Sequence, residues 1–255
     1  MYEELSGKTA VVTGGAGGIG RYVCEALAKE GVRVIIVDNC DASDALSLIE
    51  KAGGEGRLVL CDLESANSIG ETTAMLLDDI KRCDILVHCA AFQAHDLFED
   101  VTYEHWRKTL AINLDSLFLL CKAFLPGMKA AGWGRIISIT SATIYGAPPR
   151  LSEYVTSKSG IMGLSRILAR EAGAHAITVN CVAPGLIATQ KSREMVTTMT
   201  AAGERDYLAL IAEEQCLPRS LVPADIVGPI LFLASNQSAA ITGQTLLADG
   251  GWRNI

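Results

Sequence analysis

Residues Lys8 to Gly20 read K-T-A-V-V-T-G-G-A-G-G-I-G: a short β-branched run, a glycine-rich turn, and then apolar residues at helical spacing through Val23, Leu27 and Ala28. Strand, turn and helix in that order are what a bound dinucleotide requires. Glycines let the chain turn tightly and approach a pyrophosphate, and the helix N-terminus presents its free N–H groups to it. Gly14, Gly17, Gly18, Ile19 and Gly20 are therefore candidate cofactor contacts. Elsewhere in a chain, a cluster of glycines is a plain loop.

The next strand-like run, Val32 to Val37, ends on Asp38, twenty residues beyond Gly18. A carboxylate there accepts hydrogen bonds from the adenosine ribose hydroxyls and repels a 2′-phosphate, which favours NAD over NADP. Neither Gly17 nor Asn39 supplies a basic partner for such a phosphate. Arg57 to Cys61, followed by Asp62 and Leu63, reads as a third strand, and Ile85 to His88 as a fourth. Helical stretches at Asp41 to Ala52 and Ser65 to Ile80 lie between them. Strands alternating with helices predict an α/β fold, a parallel sheet with helices on both faces. Ligands of such sheets bind at the carboxyl ends of the strands. Gly14 to Gly20, Asp38, Asp62, Cys89 to Ala91 and Ser141 are thereby expected along one edge.

Ser141 to Lys158 carries the chemistry. Ser141 follows the apolar run Ile136 to Ile139, and Tyr154 and Lys158 lie one turn apart if Glu153 to Arg170 is a helix, as Ile161, Leu164, Ile167 and Leu168 suggest. A fixed ammonium beside a phenol favours the phenolate, so Tyr154 is expected to titrate below its ordinary value and exchange a proton with an alcohol or ketone oxygen. Asn113 sits in the apolar helical run Thr102 to Lys129 and must find polar partners there. Gly134 to Ile139 and Ile177 to Val182 are the fifth and sixth strands. The long polar segment Leu186 to Ser220 reads as a lid or substrate loop, ahead of a helix at Ala224 to Ala234 and a last strand at Thr245 to Ala248.

With 255 residues, 49% of them hydrophobic, the chain is long enough for one sizeable core, and no repeat or linker divides it. Net charge is −7 and no basic run tracks a phosphate backbone, so nucleic acid is not an expected partner. No apolar stretch is read as membrane-spanning, and Met1 to Glu4 lacks the order of a signal peptide, so a cytoplasmic protein without a membrane partner is expected. The eight cysteines contain no C-x-x-C and mostly fall in or beside apolar segments, as free, reduced core cysteines do. The four histidines lack metal-ligand spacing, so no metal is expected.

Taken together, T-G-G-A-G-G-I-G (Thr13 to Gly20), Asp62-Leu63, Asn113, Ser141, Y-V-T-S-K (Tyr154 to Lys158), Asn180, Pro184-Gly185, Thr189 and Asp249-Gly250-Gly251 resemble the short-chain dehydrogenase/reductase family in order and spacing. The resemblance covers nearly the whole chain. It implies a single Rossmann-type domain, a doubly wound parallel sheet of about seven strands, and a nicotinamide-dependent oxidoreductase with an Asn-Ser-Tyr-Lys tetrad. By that analogy Tyr154 is the general acid/base and Ser141 orients the substrate oxygen. Lys158 holds the nicotinamide ribose and lowers the tyrosine pKa, and Asn113 supports a water of the proton relay. The cofactor set it implies adds Asp38, Asn39, Asp62, Leu63, Cys89, Ala90, Ala91, Tyr154, Lys158, Pro184, Gly185, Ile187 and Thr189 to the glycine turn. It also implies a homotetramer built through the long helices after Thr102 and Tyr154 and the C-terminal segment. Cys89-Ala90-Ala91 stands where the family usually has N-A-G.

The expected reaction is hydride transfer between NAD(H) and a secondary alcohol/ketone pair. Arg82 to Val87, Gly127 to Ile137 and Ile241 to Leu246 are similar to segments of bacterial dehydrogenases acting on small secondary alcohols, including aryl alcohols. Alternatives are 3-oxoacyl-carrier-protein reduction, sugar or polyol oxidation, and, outside catalysis, an NAD-sensing binding protein. The expected pocket lining is Phe92, Gln93, Thr143, Ile144, Tyr145, Pro148, Pro149 and parts of Leu186 to Leu217.

Overall fold

Seven parallel strands form one sheet in the order β3-β2-β1-β4-β5-β6-β7. They are β1 (Thr9–Thr13), β2 (Arg33–Asp38), β3 (Gly56–Leu60), β4 (Ile85–His88), β5 (Gly134–Ile139), β6 (Ile177–Pro184) and β7 (Thr245–Ala248). The computed structural model describes residues 2–194 and 206–253. Helices α1 (Gly20–Lys29), α2 (Ser43–Lys51), α3 (Ala66–Ile80), α4 (Tyr103–Leu110), α5 (Ser116–Ala131), the single turn α6 (Thr143–Gly146) and α7 (Ser152–Ala172) connect the strands. Further helices at Tyr207–Glu214 and Ala224–Ala234 precede β7.

Alternation along each strand decides which layer it feeds. Ala10, Val12, Val34 and Ile36 pack with Val23 and Leu27 of α1, Ile49 of α2 and Ile226 and Ile230 of the Ala224–Ala234 helix. Val11, Ile35 and Val37 pack on the other face with Ile69 and Leu76 of α3, Leu117 and Phe124 of α5 and Ile161 of α7. Because both faces are covered, the strands are continuous apolar runs. Truncating one of these side chains, such as the fully buried Phe124, costs roughly 3–5 kcal/mol. The strand order reverses between β1 and β4, which opens a crevice at their carboxyl ends.

The Thr102 to Lys129 run does not form one regular helix. α4 passes into a π turn at Ala111–Asp115 before α5 begins. Such π turns are frequent at functional sites. The structure also corrects the expectation that no apolar stretch reaches a membrane span. Tyr103–Ala131 is continuous over 29 residues and apolar enough by composition to do so. Its Leu117, Leu120, Cys121, Phe124 and Met128 stripe is buried in the core.

Candidate active site

The glycine turn lies against the start of the loop after β4, and this contact is what demands glycine. Gly14 has φ +65°, and a methyl there would stand 2.7 Å from Ala90 N and 2.8 Å from Ala90 Cα. One on Gly20 would stand 2.1 Å from Gly14 O. Gly17 N donates to Gly14 O at 3.0 Å, closing the turn, and Ile19 occupies the N-cap position of α1. Asp38, at the end of β2, accepts from Ala16 N at 3.0 Å through Oδ2 and from Asn39 N at 2.8 Å through Oδ1. Its carboxylate thus ties the glycine turn to the second strand while remaining part-exposed.

The other expected cofactor residues fall along the same edge. After β3, Asp62 is exposed with Oδ1 accepting from Glu64 N, and Leu63 is buried. Cys89-Ala90-Ala91 follows β4, where Ala90 N donates to Thr13 Oγ1 at 3.3 Å. Pro184 ends β6, and Gly185 N donates to Ala248 O. Ile187 is buried and bridges to Leu221, while the Thr189 side chain rests on Gly18, where an added methyl would meet its Cγ2 at 2.6 Å. A cleft of 620 Å³ lined by Gly18, Arg21, Tyr22, Thr189 and Arg193 opens beside this contact. Ser141, Tyr154 and Lys158 do not line it.

Those three residues meet at the ends of β5 and α7. Ser141 is buried, and its hydroxyl stands beside the Tyr154 phenol and favours its charged form. Lys158 is 1% exposed, with Nζ donating to Ile139 O at 2.8 Å and lying 5.6 Å from the Tyr154 ring centroid. Burial lowers its pKa to about 8, opposed by the nearby Cys89 and Cys181. For Tyr154 the expected direction is reversed. Burial pushes the phenol up, and the Ser141 hydroxyl pulls it back only in part. Removing a phenolate from water costs more here than the surroundings return, and sequence spacing carries no measure of that cost.

Asn113 lies in the π turn and is wholly buried. Its Oδ1 accepts from Phe92 N at 2.7 Å, and Nδ2 donates to Phe92 O and to Ser157 Oγ, both at 2.9 Å. The side chain therefore joins the loop after β4 to the α7 turn that carries Tyr154 and Lys158. Two further residues belong to this neighbourhood and carry no sequence signal of it. His88 is buried and held neutral, its pKa lowered to about 3 by burial and by the Lys158 charge, with Nε2 2.9 Å from Ser116 Oγ. Glu153, next to Tyr154, is wholly buried; its Oε2 accepts from Ser152 Oγ at 3.0 Å, and Oε1 has no partner.

Two of the expected pocket residues have described partners of their own. The Phe92 ring stands edge-on to His105, with Lys108 Nζ 5.1 Å above it, and the Tyr145 hydroxyl reaches Met162 Sδ at 3.8 Å. Thr143 stays at the site, its Oγ1 donating to Ser141 Oγ at 2.8 Å. Ile144 lies in the single turn α6, and Pro148 and Pro149 follow it. Of the Leu186 to Leu217 segment, residues 195–205 lie outside the described residues.

Residues 14–253 match the family model described as Enoyl-(Acyl carrier protein) reductase. A solved structure from Sinorhizobium meliloti 1021, assigned to the short-chain alcohol dehydrogenases, superposes with a TM-score of 0.88 at 32% identity, over 97% of this chain and 96% of its own. The chain belongs to the short-chain dehydrogenase/reductase family. Other family members span it end to end. The "Probable galactose dehydrogenase GalD" of Rhizobium meliloti (strain 1021) is 36% identical over 98% of this chain and 97% of its own. The D-xylose 1-dehydrogenase of Caulobacter vibrioides is 34% identical over 99% and 98%. A solved family structure from Beutenbergia cavernae, assigned as an NAD(P)-dependent gluconate 5-dehydrogenase with NADP at low occupancy, superposes with a TM-score of 0.90 at 33% identity over 97% of each chain.

Proposed function

We propose that this short-chain dehydrogenase/reductase is an NAD-dependent cytoplasmic oxidoreductase that interconverts a secondary alcohol and its ketone, with Tyr154 as the general acid/base. One observation carries the reading: the Ser141 hydroxyl stands beside the Tyr154 phenol at the sheet edge, with the Lys158 ammonium buried one helical turn along. A reacting oxygen within reach of both hydroxyls can be oriented by one and exchange its proton with the other. Lys158 Nζ makes a single described bond, to Ile139 O, so two of its three donors remain to hold ribose hydroxyls. The nicotinamide cofactor, when bound, supplies the hydride acceptor or donor.

The residues present fit such a cofactor. The turn from Gly14 to Gly20 packs so closely on Ala90 and on itself that only glycine leaves the backbone open to a diphosphate. Asp38 supports NAD, because a carboxylate at the end of the second strand repels a 2′-phosphate. The same carboxylate disfavours the 3-oxoacyl-carrier-protein reductase reading, although a reductase of that name from Chlamydia muridarum is 32% identical. Residues 186–220 serve as the substrate lid in this reading. Assembly is as a homotetramer, in which α5 and α7 would cover the half-exposed Phe118 and Ile167. Turnover of a ketone panel with NADH and with NADPH tests the proposal. NADH is expected to be preferred; a clear preference for NADPH overturns the role given to Asp38, and inactivity with both cofactors on every ketone overturns the enzyme reading.

A further inference from the structure

His88 is the last residue of β4 and is wholly buried. Its Nε2 lies 2.9 Å from Ser116 Oγ, which in turn lies 2.6 Å from Ile112 O. A carbonyl only accepts, so the single hydrogen of the Ser116 hydroxyl goes to Ile112, and the hydrogen between Ser116 and His88 belongs to the imidazole. The neutral ring therefore carries its proton on Nε2. Nδ1 is a bare acceptor with no partner among the described residues, which leaves Ser116 as the one polar tie of the ring there.

Ser116 stands where the π turn passes into α5. Its N–H donates to Ala111 O, five residues back, and its hydroxyl to Ile112 O, four back, so one residue closes the turn twice. A serine hydroxyl bonded to a carbonyl one turn back bends a helix. A donor to that hydroxyl strengthens the bond the hydroxyl makes. His88 supplies the donor from the sheet, so the π turn is fixed to the end of β4 as well as to itself.

The turn carries Asn113, next in the chain to Ile112, and the same reasoning orients its amide. Phe92 N–H needs an oxygen, which puts Oδ1 there, and the two hydrogens of Nδ2 go to Phe92 O and Ser157 Oγ. Ser157 Oγ gives its own hydrogen to Tyr154 O at 2.7 Å. From the imidazole through Ser116, the π turn, Asn113 and Ser157, each donor is accounted for as far as the backbone of Tyr154. His88, Asn113, Ser116 and Ser157 are all wholly buried, so a bond lost along this path leaves a polar group unpaired inside the protein.

We propose that His88, acting through Ser116, is a positioning residue for the reaction: it sets the π turn so that Asn113 holds the backbone of Tyr154 in place through Ser157. The kinetic consequence rests on the oxidoreductase reading, because a small misplacement of the phenol lowers turnover without weakening the hold on the cofactor. The effect on the placement of Asn113 does not depend on that reading.

The test compares the full-length wild type with Ser116→Ala, His88→Asn and His88→Gln. Asparagine is too short to bring a donor to Ser116, whereas the glutamine amide reaches the place of Nε2. In Ser116→Ala and His88→Asn, kcat is expected to fall about 10- to 100-fold while NADH affinity stays within about twofold, and His88→Gln restores most of the loss. Hydrogen exchange at the Phe92 amide, which Asn113 Oδ1 accepts, should speed up at least about tenfold in the first two variants while the β1 amides of Ala10 to Val12 keep their wild-type rates. In an Asn113→Ala background, Ser116→Ala should change kcat by no more than about twofold, because both act on one path. Wild-type kcat and Phe92 protection in Ser116→Ala and His88→Asn overturn the proposal and leave the oxidoreductase reading standing. Exchange that rises equally at Phe92 and in β1 overturns it as well, by marking His88 as an ordinary core residue, and so do losses that add to that of Asn113→Ala. If the wild type turns over no alcohol or ketone, the oxidoreductase reading fails and the exchange rates alone decide: faster exchange confined to Phe92 supports the positioning role, and unchanged exchange there overturns it.

Discussion

Replacing Lys158 by Met removes an ammonium that the fold buries at a cost, and the cost has a pH signature. The pKa of Lys158 falls from its ordinary 10.5 to about 8, with burial the main cause. At about 1.4 kcal/mol per pKa unit, the charged form destabilises the native state by roughly 3 kcal/mol at pH 7. The unfolded chain binds the extra proton between pH 8 and 10.5, so wild-type stability from this group rises with pH across that window. The penalty is complete below pH 8 and gone above 10.5. At pH 9.5 about 1.4 kcal/mol of it remains. Lys158→Met carries no ammonium and so no such penalty, and the carbonyl of Ile139 it leaves without a donor costs about 1–3 kcal/mol at either pH. The stability of the variant relative to wild type should therefore drop by about 2 kcal/mol between pH 7 and 9.5, measured by urea denaturation without cofactor. A difference between the two proteins that does not move with pH would refute the reasoning, whatever its absolute size.

Gly14→Ala should cost clearly more than Gly53→Ala. Both residues have positive φ, at 65° and 76°, but an added methyl meets Ala90 N at 2.7 Å in the first case and nothing within 4 Å in the second. Gly53→Ala is expected to lose about 1–2 kcal/mol for the backbone alone, and Gly14→Ala several kcal/mol together with at least a tenfold loss of NADH affinity; equal denaturation midpoints and affinities would contradict this. Because burial raises the Tyr154 phenol, it is protonated at neutral pH. Ketone reduction should run at pH 7 while alcohol oxidation climbs with pH, and initial rates of oxidation that stay flat from pH 7 to 10 would contradict that assignment.

Much of this fold was legible because its elements carry strong local patterns. Ile85 to His88, Ala224 to Ala234 and Thr245 to Ala248 appear with the bounds that their apolar runs suggested. α7 extends two residues beyond Arg170, and Ser65, read as helical, is instead the N-cap of α3, accepting from Ser68 N. Gly14, Asp38, Asp62 and Ser141 were expected at one sheet edge because parallel α/β order forces strand ends together. What escaped depends on depth and direction, which periodicity does not encode. The π turn at Asn113 interrupts a run that reads as one continuous helix. The phenol of Tyr154 is governed by desolvation more than by its neighbour. Glu153 reads as a first-turn acid of the kind that suits a helix dipole, yet it is wholly buried. The contacts of Phe92 with His105 and of the Tyr145 hydroxyl with Met162 join residues far apart in the chain, which no local pattern announces.

The central claim is that the Tyr154 hydroxyl moves the proton in a reaction whose cofactor is held by other residues. It is tested most directly by measuring turnover and NADH affinity, the latter by fluorescence titration, in wild type and Tyr154→Phe. Turnover should fall by about 10²–10⁴-fold while the dissociation constant for NADH stays within about twofold. Turnover that survives the loss of that single oxygen would contradict the account.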